Sequence, residues 1–259
     1  MSDTILTERL GRVAIVTLNR PQTLNSFNNE LLETLASVLK ALDADPEVRC
    51  VVLTGAGKAF CAGGDLGVLM SCDSQEKSDE NMRVANEAVT ALFRMSTPTI
   101  AMVNGAAAGA GFNLALACDL ICASEKTKFI QSFVNVGIAS DCGGHYLLEK
   151  AVGRQLAKEL MFTARPVTAQ EGKALGFVNR VCSPETLREE TLALAAQLAD
   201  KAPLAIAASK RLLNRAEELS LEEVLQAEKE QQGPLLLSAD CKEGISAFRE
   251  KRTPVFTGK

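Results

Sequence analysis

Asp141 lies in a glycine-containing stretch, residues 136–145, that leads into a helical pattern. A carboxylate at the start of a helix can act as a general base or acid, taking a proton from a bound molecule and returning it elsewhere. Aspartate at that place can instead cap the helix and accept hydrogen bonds from the amides of Gly143 or Gly144. The sequence makes Asp141 the main candidate for proton-transfer chemistry, with helix capping as the structural alternative.

Two segments rich in glycine and alanine are the next candidates. Residues 55–65 follow an apolar strand pattern, and residues 104–111 precede a helical pattern at residues 112–116. Small residues let backbone N–H groups approach a ligand oxygen closely, and amides at a helix start favour negative charge. Such loops are also ordinary turns. Taken as a functional feature, they predict a site in which backbone amides hold an anionic oxygen.

The cysteines and the histidine of the sequence give little support for a metal site or for disulfide bonds. The eight cysteines have no CxxC pair, and His145 is the single histidine, so we interpret the cysteines as reduced thiols and expect no metal site. His145 lies four residues after Asp141, where it would either share a helical face with the carboxylate or be an exposed first-turn residue.

Composition excludes several classes of protein. The chain is 47% hydrophobic and 23% charged, without an apolar run long enough to span a bilayer, so we expect a soluble globular protein with no membrane partner. The 28 basic and 32 acidic residues include no basic block, which disfavours nucleic acid as the main partner. The polar N-terminus resembles no secretory signal, which predicts a cytoplasmic protein.

Strand and helix patterns alternate in the first three quarters of the chain. Residues 5–9 and 13–19 are β-rich runs around Gly11, followed by a helical pattern from residue 28 and an apolar strand at 50–54. The same succession recurs later, and a polar segment between the two parts is predicted as a mobile loop. These further predictions are a loop at 71–78, a helix at 79–95, a strand at 99–104, a helix at 109–117 and strands at 120–123 and 178–182.

Helical patterns dominate from residue 184 onward. The sequence predicts helices at 185–200, 203–216, 221–231 and 239–250. We therefore expect an α/β core at residues 1–195 and a helical region at residues 196–259. The apolar stripes of that region would pack either on a neighbouring subunit or on the chain's own core.

One glycine pattern is similar to that of the short-chain dehydrogenases. Gly105, Gly109 and Gly111 would form their cofactor loop, and Tyr146 and Lys150 their catalytic pair. Those enzymes place the tyrosine several βα units after the loop, whereas only 41 positions separate Gly105 from Tyr146 here (146 minus 105). The spacing disfavours this interpretation.

Several motifs together resemble the crotonase, or enoyl-CoA hydratase/isomerase, superfamily, and they cover nearly the whole chain. They are found at residues 18–21, 24–27, 59–66, 103–119, 153–154 and 243–254. The resemblance implies an α/β fold, a crotonase-type spiral of ββα units followed by a C-terminal helical region. It further implies an acyl-CoA thioester as substrate, with no cofactor beyond the coenzyme A that the substrate carries.

The resemblance also implies roles for individual residues. The amides of Gly64 and Ala110 would bind the thioester oxygen, and Ala62 would lie beside the adenine. The other implied substrate-binding residues lie at both ends of the chain. Phe27 is the one near the N-terminus. Phe248 and Lys251, near the C-terminus, would reach the coenzyme A of a neighbouring chain in a homotrimer or dimer of trimers.

The departures from the family pattern narrow the activity. Hydratases of the family activate water with two glutamates, and their positions fall here on Asn113 and Phe133, neither of which can act as a base. Asn113 would hydrogen-bond a ligand or pack near the start of its helix. Phe133 would make one wall of the acyl pocket apolar. Ordinary hydration of a double bond is therefore disfavoured.

Asp141 matches the aspartate of the ring-opening 1,2-epoxyphenylacetyl-CoA isomerase group and of some Δ3,Δ2-enoyl-CoA isomerases. Dehalogenases of the 4-chlorobenzoyl-CoA type have a nucleophilic aspartate there, but they also use a tryptophan, and this chain has none. The expected activity is acyl-CoA isomerisation by Asp141. Residual hydratase activity, dehalogenation and non-catalytic acyl-CoA binding remain alternatives, and the acyl group is not defined by the sequence.

Overall fold

The computed structural model of the chain describes residues 3–259, and its strands form two sheets. The strands are β1 (Ile5–Leu10), β2 (Val13–Leu18), β3 (Cys50–Gly55), β4 (Ala59–Cys61), β5 (Thr99–Val103), β6 (Ala106–Ala108), β7 (Leu120–Ser124), β8 (Lys128–Ile130), β9 (Val167–Thr168) and β10 (Arg180–Cys182). Eleven α-helices accompany these sheets within residues 3–259. They are α1 (Asn29–Ala44), α2 (Leu66–Met70), α3 (Gln75–Arg94), α4 (Ala110–Leu116), α5 (Gly144–Val152), α6 (Arg154–Thr163), α7 (Ala169–Ala174), α8 (Leu187–Ala199), α9 (Pro203–Leu213), α10 (Leu221–Leu237) and α11 (Ala239–Glu250).

The larger sheet has the order β1-β2-β3-β5-β7-β10. Its first two strands form the predicted antiparallel hairpin, and the other neighbours pair in parallel. Strands β3 and β5 are buried along their whole length, as expected for parallel strands covered on both faces. This sheet forms the centre of the core.

The smaller sheet has the order β4-β6-β8-β9, with β4, β6 and β8 parallel. Along the chain, a strand of the larger sheet is followed by a strand of the smaller sheet and then by a helix, as in β5, β6 and α4. The same order holds for β3, β4 and α2. This arrangement confirms the predicted α/β fold built from ββα units.

Two of the short strands lie inside segments that the sequence predicted as loops. Strand β4 falls within residues 55–65 and β6 within residues 104–111. A three-residue strand is too short to show the alternation by which strands are recognised. The two glycine-rich segments are therefore strand ends held in a sheet rather than free loops.

The predicted loop at residues 71–78 is wrong in its second half, because α3 begins at Gln75. Ser74 caps this helix, and its side chain accepts a hydrogen bond from the amide of Lys77. Serine is a favoured residue at such a cap. The helix therefore starts four residues earlier than predicted.

A continuous helix crosses the predicted boundary at residue 195. Ala195 and Ala199 of α8 belong to a buried apolar cluster with Val13 and Val52 of the larger sheet. The division into an α/β core and a helical region stays a prediction. Within residues 3–259, none of the helices has the length and apolarity needed to cross a bilayer.

Candidate active site

A cavity of about 670 Å³ lies between the start of α1, the helices α2 and α3, and the segment before α5. Its lining includes Phe27, Gly64, Ala110 and Asp141, four residues that the sequence singled out. These residues are separated by up to 114 positions in the chain (141 minus 27). The fold therefore gathers the candidate aspartate and both candidate amides around one space.

The backbone amides of Gly64 and Ala110 have no hydrogen-bond acceptor among the described residues. Their neighbours are paired: Phe27 N–H donates to the Gly63 carbonyl at 2.7 Å, and Asp65 N–H donates to the Phe27 carbonyl at 3.0 Å. Buried amides in folded proteins are nearly always paired. Two unpaired amides at a cavity wall are therefore suited to bind an oxygen of a ligand.

Gly63 brings the two amide-bearing segments close together. Its φ of +95° lies in the region that favours glycine, and a Cβ there would lie 2.8 Å from the Ala108 carbonyl oxygen. The same Cβ would lie 3.5 Å from the Ala110 nitrogen. A larger residue at position 63 would push these segments apart.

Asp141 lies in an irregular segment after a 3-10 helix (Ser132–Val136) and three residues before α5. Its Oδ1 is buried and has no hydrogen-bond partner within residues 3–259. Burial raises the pKa of the carboxyl above its ordinary value, although the adjacent Cys142 thiol and Asp141's own amide act in the opposite direction. The carboxyl is therefore poised to exchange a proton with a bound molecule.

A second carboxylate lines the cavity, but its oxygens are occupied. Asp65 accepts hydrogen bonds from Arg20 at 3.0 Å, from the Gly67 amide at 2.9 Å and from Ser26 at 3.3 Å. Burial alone would raise the pKa of Asp65, but the Arg20 and Gly67 hydrogen bonds outweigh it and hold the pKa below its ordinary value. Asp65 stays ionised and caps α2, a structural role.

The side chain of Asp141 does not cap helix α5, so the structural alternative predicted for it is wrong. Helix α5 begins at Gly144 after Gly143, and no side chain caps it. The Gly144 amide donates to the main-chain oxygen of Asp141 at 2.9 Å, so the carboxylate remains available.

Apolar side chains form most of the remaining wall. Leu32 of α1, Leu69 of α2 and Met82 of α3 face Ile138 of the segment before α5. Polar groups interrupt this wall where Asn29 donates to the Asn81 Oδ1 at 2.8 Å. The cavity can hold an apolar acyl group.

Two predicted residues, Asn113 and Phe133, do not line this cavity. Phe133 is 7% exposed and packs in the main apolar core. Asn113 is fully buried, and its amide donates to the main-chain oxygen of Asp141 at 2.8 Å. No feature of the sequence signalled that contact, because it joins residues 28 positions apart.

The remaining candidates lie elsewhere. The Ala62 amide donates to the Leu24 carbonyl at 3.0 Å, and His145 is an exposed residue of the first turn of α5. Phe248 is 86% exposed on α11, and Lys251 ends that helix with φ of +55°. None of the four lines the cavity within this chain. Over residues 3–259, no three His, Cys, Asp or Glu side chains gather as a metal site would require.

A spiral of ββα units whose strand-end amides face an apolar cavity defines the crotonase class of fold. The sequence profile of the enoyl-CoA hydratase/isomerase family matches residues 8–259, and the chain belongs to this family.

Named relatives include both types of enzyme. The chain is 38% identical to a 1,2-epoxyphenylacetyl-CoA isomerase of Escherichia coli, over the full length of both proteins. It is 39% identical to a probable enoyl-CoA hydratase of Rhizobium meliloti, over 98% of each chain. The crystal structure of an enoyl-CoA hydratase from Bacillus anthracis superposes with a TM-score of 0.96 at 32% identity, covering 99% of this chain and 100% of that one.

Proposed function

We propose that this enzyme is an acyl-CoA isomerase that moves a double bond, or opens a strained ring, by proton transfer through Asp141. The observation that carries the proposal is the contrast between the two carboxylates of the cavity. Asp65 is fully hydrogen-bonded, whereas Asp141 has a buried, unpartnered oxygen and a raised pKa. Carboxyls whose environments drive their pKa values apart commonly divide into structural and acid/base roles.

The reaction begins with the thioester bound at the two unpaired amides. The Asp141 carboxylate removes a proton from the carbon α or γ to the thioester carbonyl, and the electron pair moves onto the thioester oxygen. The amides of Gly64 and Ala110 stabilise this enolate, and each such donor contributes about 3 kcal/mol in comparable sites. Asp141, now protonated, returns the proton to a different carbon, so no water is added or lost.

Hydration is the second candidate, because hydratase names are common among the relatives. It needs a group that activates water. Asn113 cannot act as a base, and its amide nitrogen is already bonded to Ser140 and Asp141. Hydratase activity would therefore depend on Asp141 alone and give a 3-hydroxyacyl-CoA product.

The assembly is also part of the proposal. Ala62 would lie beside the adenine, and Phe248 and Lys251 would reach the coenzyme A of a neighbour in a homotrimer or dimer of trimers. What supports this is the exposure of Phe248 and of Leu237, at 86% and 78%, on the C-terminal helices.

The test is product analysis with Asp141→Asn. We expect wild-type protein in D₂O to convert 3-hexenoyl-CoA to 2-hexenoyl-CoA with deuterium uptake, measured by mass spectrometry. Asp141→Asn should lose roughly 10² to 10⁴-fold in turnover, the usual contribution of a positioned base, with the Kd for hexanoyl-CoA nearly unchanged.

Asp200→Asn is the matched control, because Asp200 is exposed and lies at the end of α8, outside the cavity lining. It should retain full turnover. Undiminished isomerisation by Asp141→Asn would refute the assignment. Accumulation of 3-hydroxyacyl-CoA would favour the hydratase, and binding with neither exchange nor product across a panel of acyl-CoA esters would favour a binding protein.

A further inference from the structure

A group of buried polar side chains lies directly behind Asp141. Asn113 is fully buried and Gln131 is 1% exposed. The Asn113 Nδ2 donates to the Asp141 main-chain oxygen at 2.8 Å and to the Ser140 Oγ at 3.1 Å. Both N–H donors of the Asn113 amide are thus used, one to hold Ser140 and the other to hold Asp141.

Gln131 fixes which way the Asn113 amide points. The Gln131 Nε2 donates to the Asn113 Oδ1 at 2.8 Å, so the Asn113 NH₂ group must face Ser140 and Asp141. The Ser140 Oγ in turn donates to the Gln131 Oε1 at 3.4 Å, which closes a ring of three side chains. Loss of the Gln131 donor would weaken the preference for this orientation and leave the Asp141 main-chain oxygen, an acceptor, to favour it.

The segment before Asp141 is otherwise weakly held. Residues 134–139 are all exposed, and Cys142 has a left-handed backbone with φ of +50°. The arrangement also requires a glycine at 144, because a Cβ there would lie 2.3 Å from both the Asn113 Nδ2 and the Ser140 Oγ. The buried ring therefore restrains where the Asp141 backbone lies, together with the Gly144 amide, which also donates to the Asp141 main-chain oxygen at 2.9 Å.

We infer that Asn113 and Gln131 are positioning residues, which hold the Asp141 carboxylate at the distance that proton transfer requires. The inference rests on the proposed role of Asp141. Neither side chain lines the cavity, so both act through Asp141 rather than on the substrate. The family position where a hydratase carries a water-activating glutamate is used in this chain to orient the base.

The test is Gln131→Met, a substitution of similar size that removes the donor without reaching the cavity. Misplacement of a reacting group by about 1 Å can cost roughly 10²-fold in rate. We expect kcat for 3-hexenoyl-CoA isomerisation to fall by about that factor while KM changes less than about twofold. Asn113→Leu should behave in the same way with a larger loss.

The matched control is Thr191→Val. Thr191 is a fully buried polar residue of α8 that belongs neither to the ring nor to the cavity lining. It should leave kcat unchanged. An equal loss of kcat in Thr191→Val, or a Gln131→Met effect confined to KM, would overturn the inference.

A second measurement does not depend on turnover. The carboxyl ¹³C titration of Asp141 should move to lower pH in Gln131→Met, because a released carboxylate becomes more hydrated. The titratable groups that share the cavity wall are Asp65, Cys72 and Cys142, and no Arg, Lys or His of the described residues lines it. Cys61 faces Cys142 from β4. An unchanged midpoint together with unchanged kcat would refute the positioning role.

Asp141→Asn in the same assay separates the two proposals. If Asp141→Asn is inactive and Gln131→Met has full activity, the positioning role fails and the isomerase assignment stands. If Asp141→Asn retains activity, the isomerase assignment itself fails.

Discussion

Two aspartates face one cavity, and their surroundings give them different properties. Asp65 is ion-paired with Arg20 and caps a helix, whereas Asp141 has an oxygen that is buried without a partner. A buried carboxylate without compensation destabilises the folded protein when it is charged. At the residue scale, the candidate base Asp141 thus lowers the free energy of unfolding, and the same buried, unpartnered oxygen suits it to proton transfer.

Replacing Asp141 by Asn should stabilise the protein at neutral pH. Burial raises the pKa of Asp141, so the folded protein binds this proton more tightly than the unfolded chain does. The free energy of unfolding of the wild type therefore falls as pH rises from the pKa of Asp141 in the unfolded chain to its higher pKa in the folded protein. Asp141→Asn has no proton to lose at this position, so its free energy of unfolding does not fall for this reason.

The gain in the free energy of unfolding should be complete above the folded pKa and vanish below the unfolded pKa. Urea denaturation of both proteins at pH 7 and near pH 3 measures it. Equal gains at both pH values would show that the charge is not the cause.

Gly63→Ala should lower turnover by separating the two amides. The new Cβ would meet the Ala108 carbonyl at 2.8 Å, next to the Ala110 nitrogen. Loss of one oxyanion donor costs about 10² to 10³-fold in kcat.

Gly176→Ala is the control, since Gly176 has the same φ of +95° but open space around it. Both variants should lose some stability from backbone strain, measured by thermal denaturation. When turnover is expressed per folded molecule, only Gly63→Ala should show a loss. Equal turnover per folded molecule in the two variants would contradict the role of Gly63.

At the element scale, the sequence predicted what depends on long patterns. The β1–β2 hairpin, the helix α1 from about residue 28 and the buried strand β3 follow from periodicity, which acts over neighbouring residues. The short strand β4 was missed, because its pairing with β6 is set by tertiary contacts.

The same division holds for the site. Gly64, Ala110 and Asp141 were found through family motifs, and they do line one cavity. The contacts of Asn113 with Gln131 and Asp141 join residues far apart in the sequence, which local patterns cannot show. Periodicity also could not show that Phe133 would lie in the core rather than at the cavity.

Helix α9 is fixed to the core by a buried ion pair, which gives a prediction about stability. Lys210, whose side chain is 6% exposed, donates to Asp119 at 2.7 Å, and Asp119 also accepts from Thr99. Breaking a buried pair costs roughly 3–5 kcal/mol, and because Asp119 is 24% exposed, solvent screening reduces the cost for Lys210→Met to about 2 kcal/mol.

The free energy of unfolding, from urea denaturation, tests this value. The control is Lys40→Met, which breaks an exposed pair between Lys40 and Glu87 and should cost less than about 1 kcal/mol. Similar losses in both variants would mean that burial does not set the contribution of these pairs.

At the scale of the whole molecule, the surface of the C-terminal helices bears on assembly. Apolar side chains on the last helices are largely exposed, and Leu213, Leu237 and Phe248 are each more than 70% accessible. The chain thus carries the kind of surface that the proposed trimer would bury.

Phe248→Asp should weaken self-association. Analytical ultracentrifugation of the wild type should give a multiple of three times the 27.6 kDa chain mass, and the variant should shift toward monomer. Phe162→Asp places the same substitution at another exposed phenylalanine, 72% accessible on α6 outside the helical region. A monomeric wild type would contradict the proposed assembly.

The parallel pairing of β4 with β6 has a consequence for how the family could diversify. Gly64 and Ala110 each lie a few residues beyond one of these strands, so the backbone ladder, and not any side chain, sets the spacing of the two amides. Asp141 belongs to a separate segment. Substitutions there would change the proposed acid or base while the strand pairing keeps the spacing of the two amides, and the hydrogen bond from Asn113 of α4 to the Asp141 main-chain oxygen is the link between the two parts.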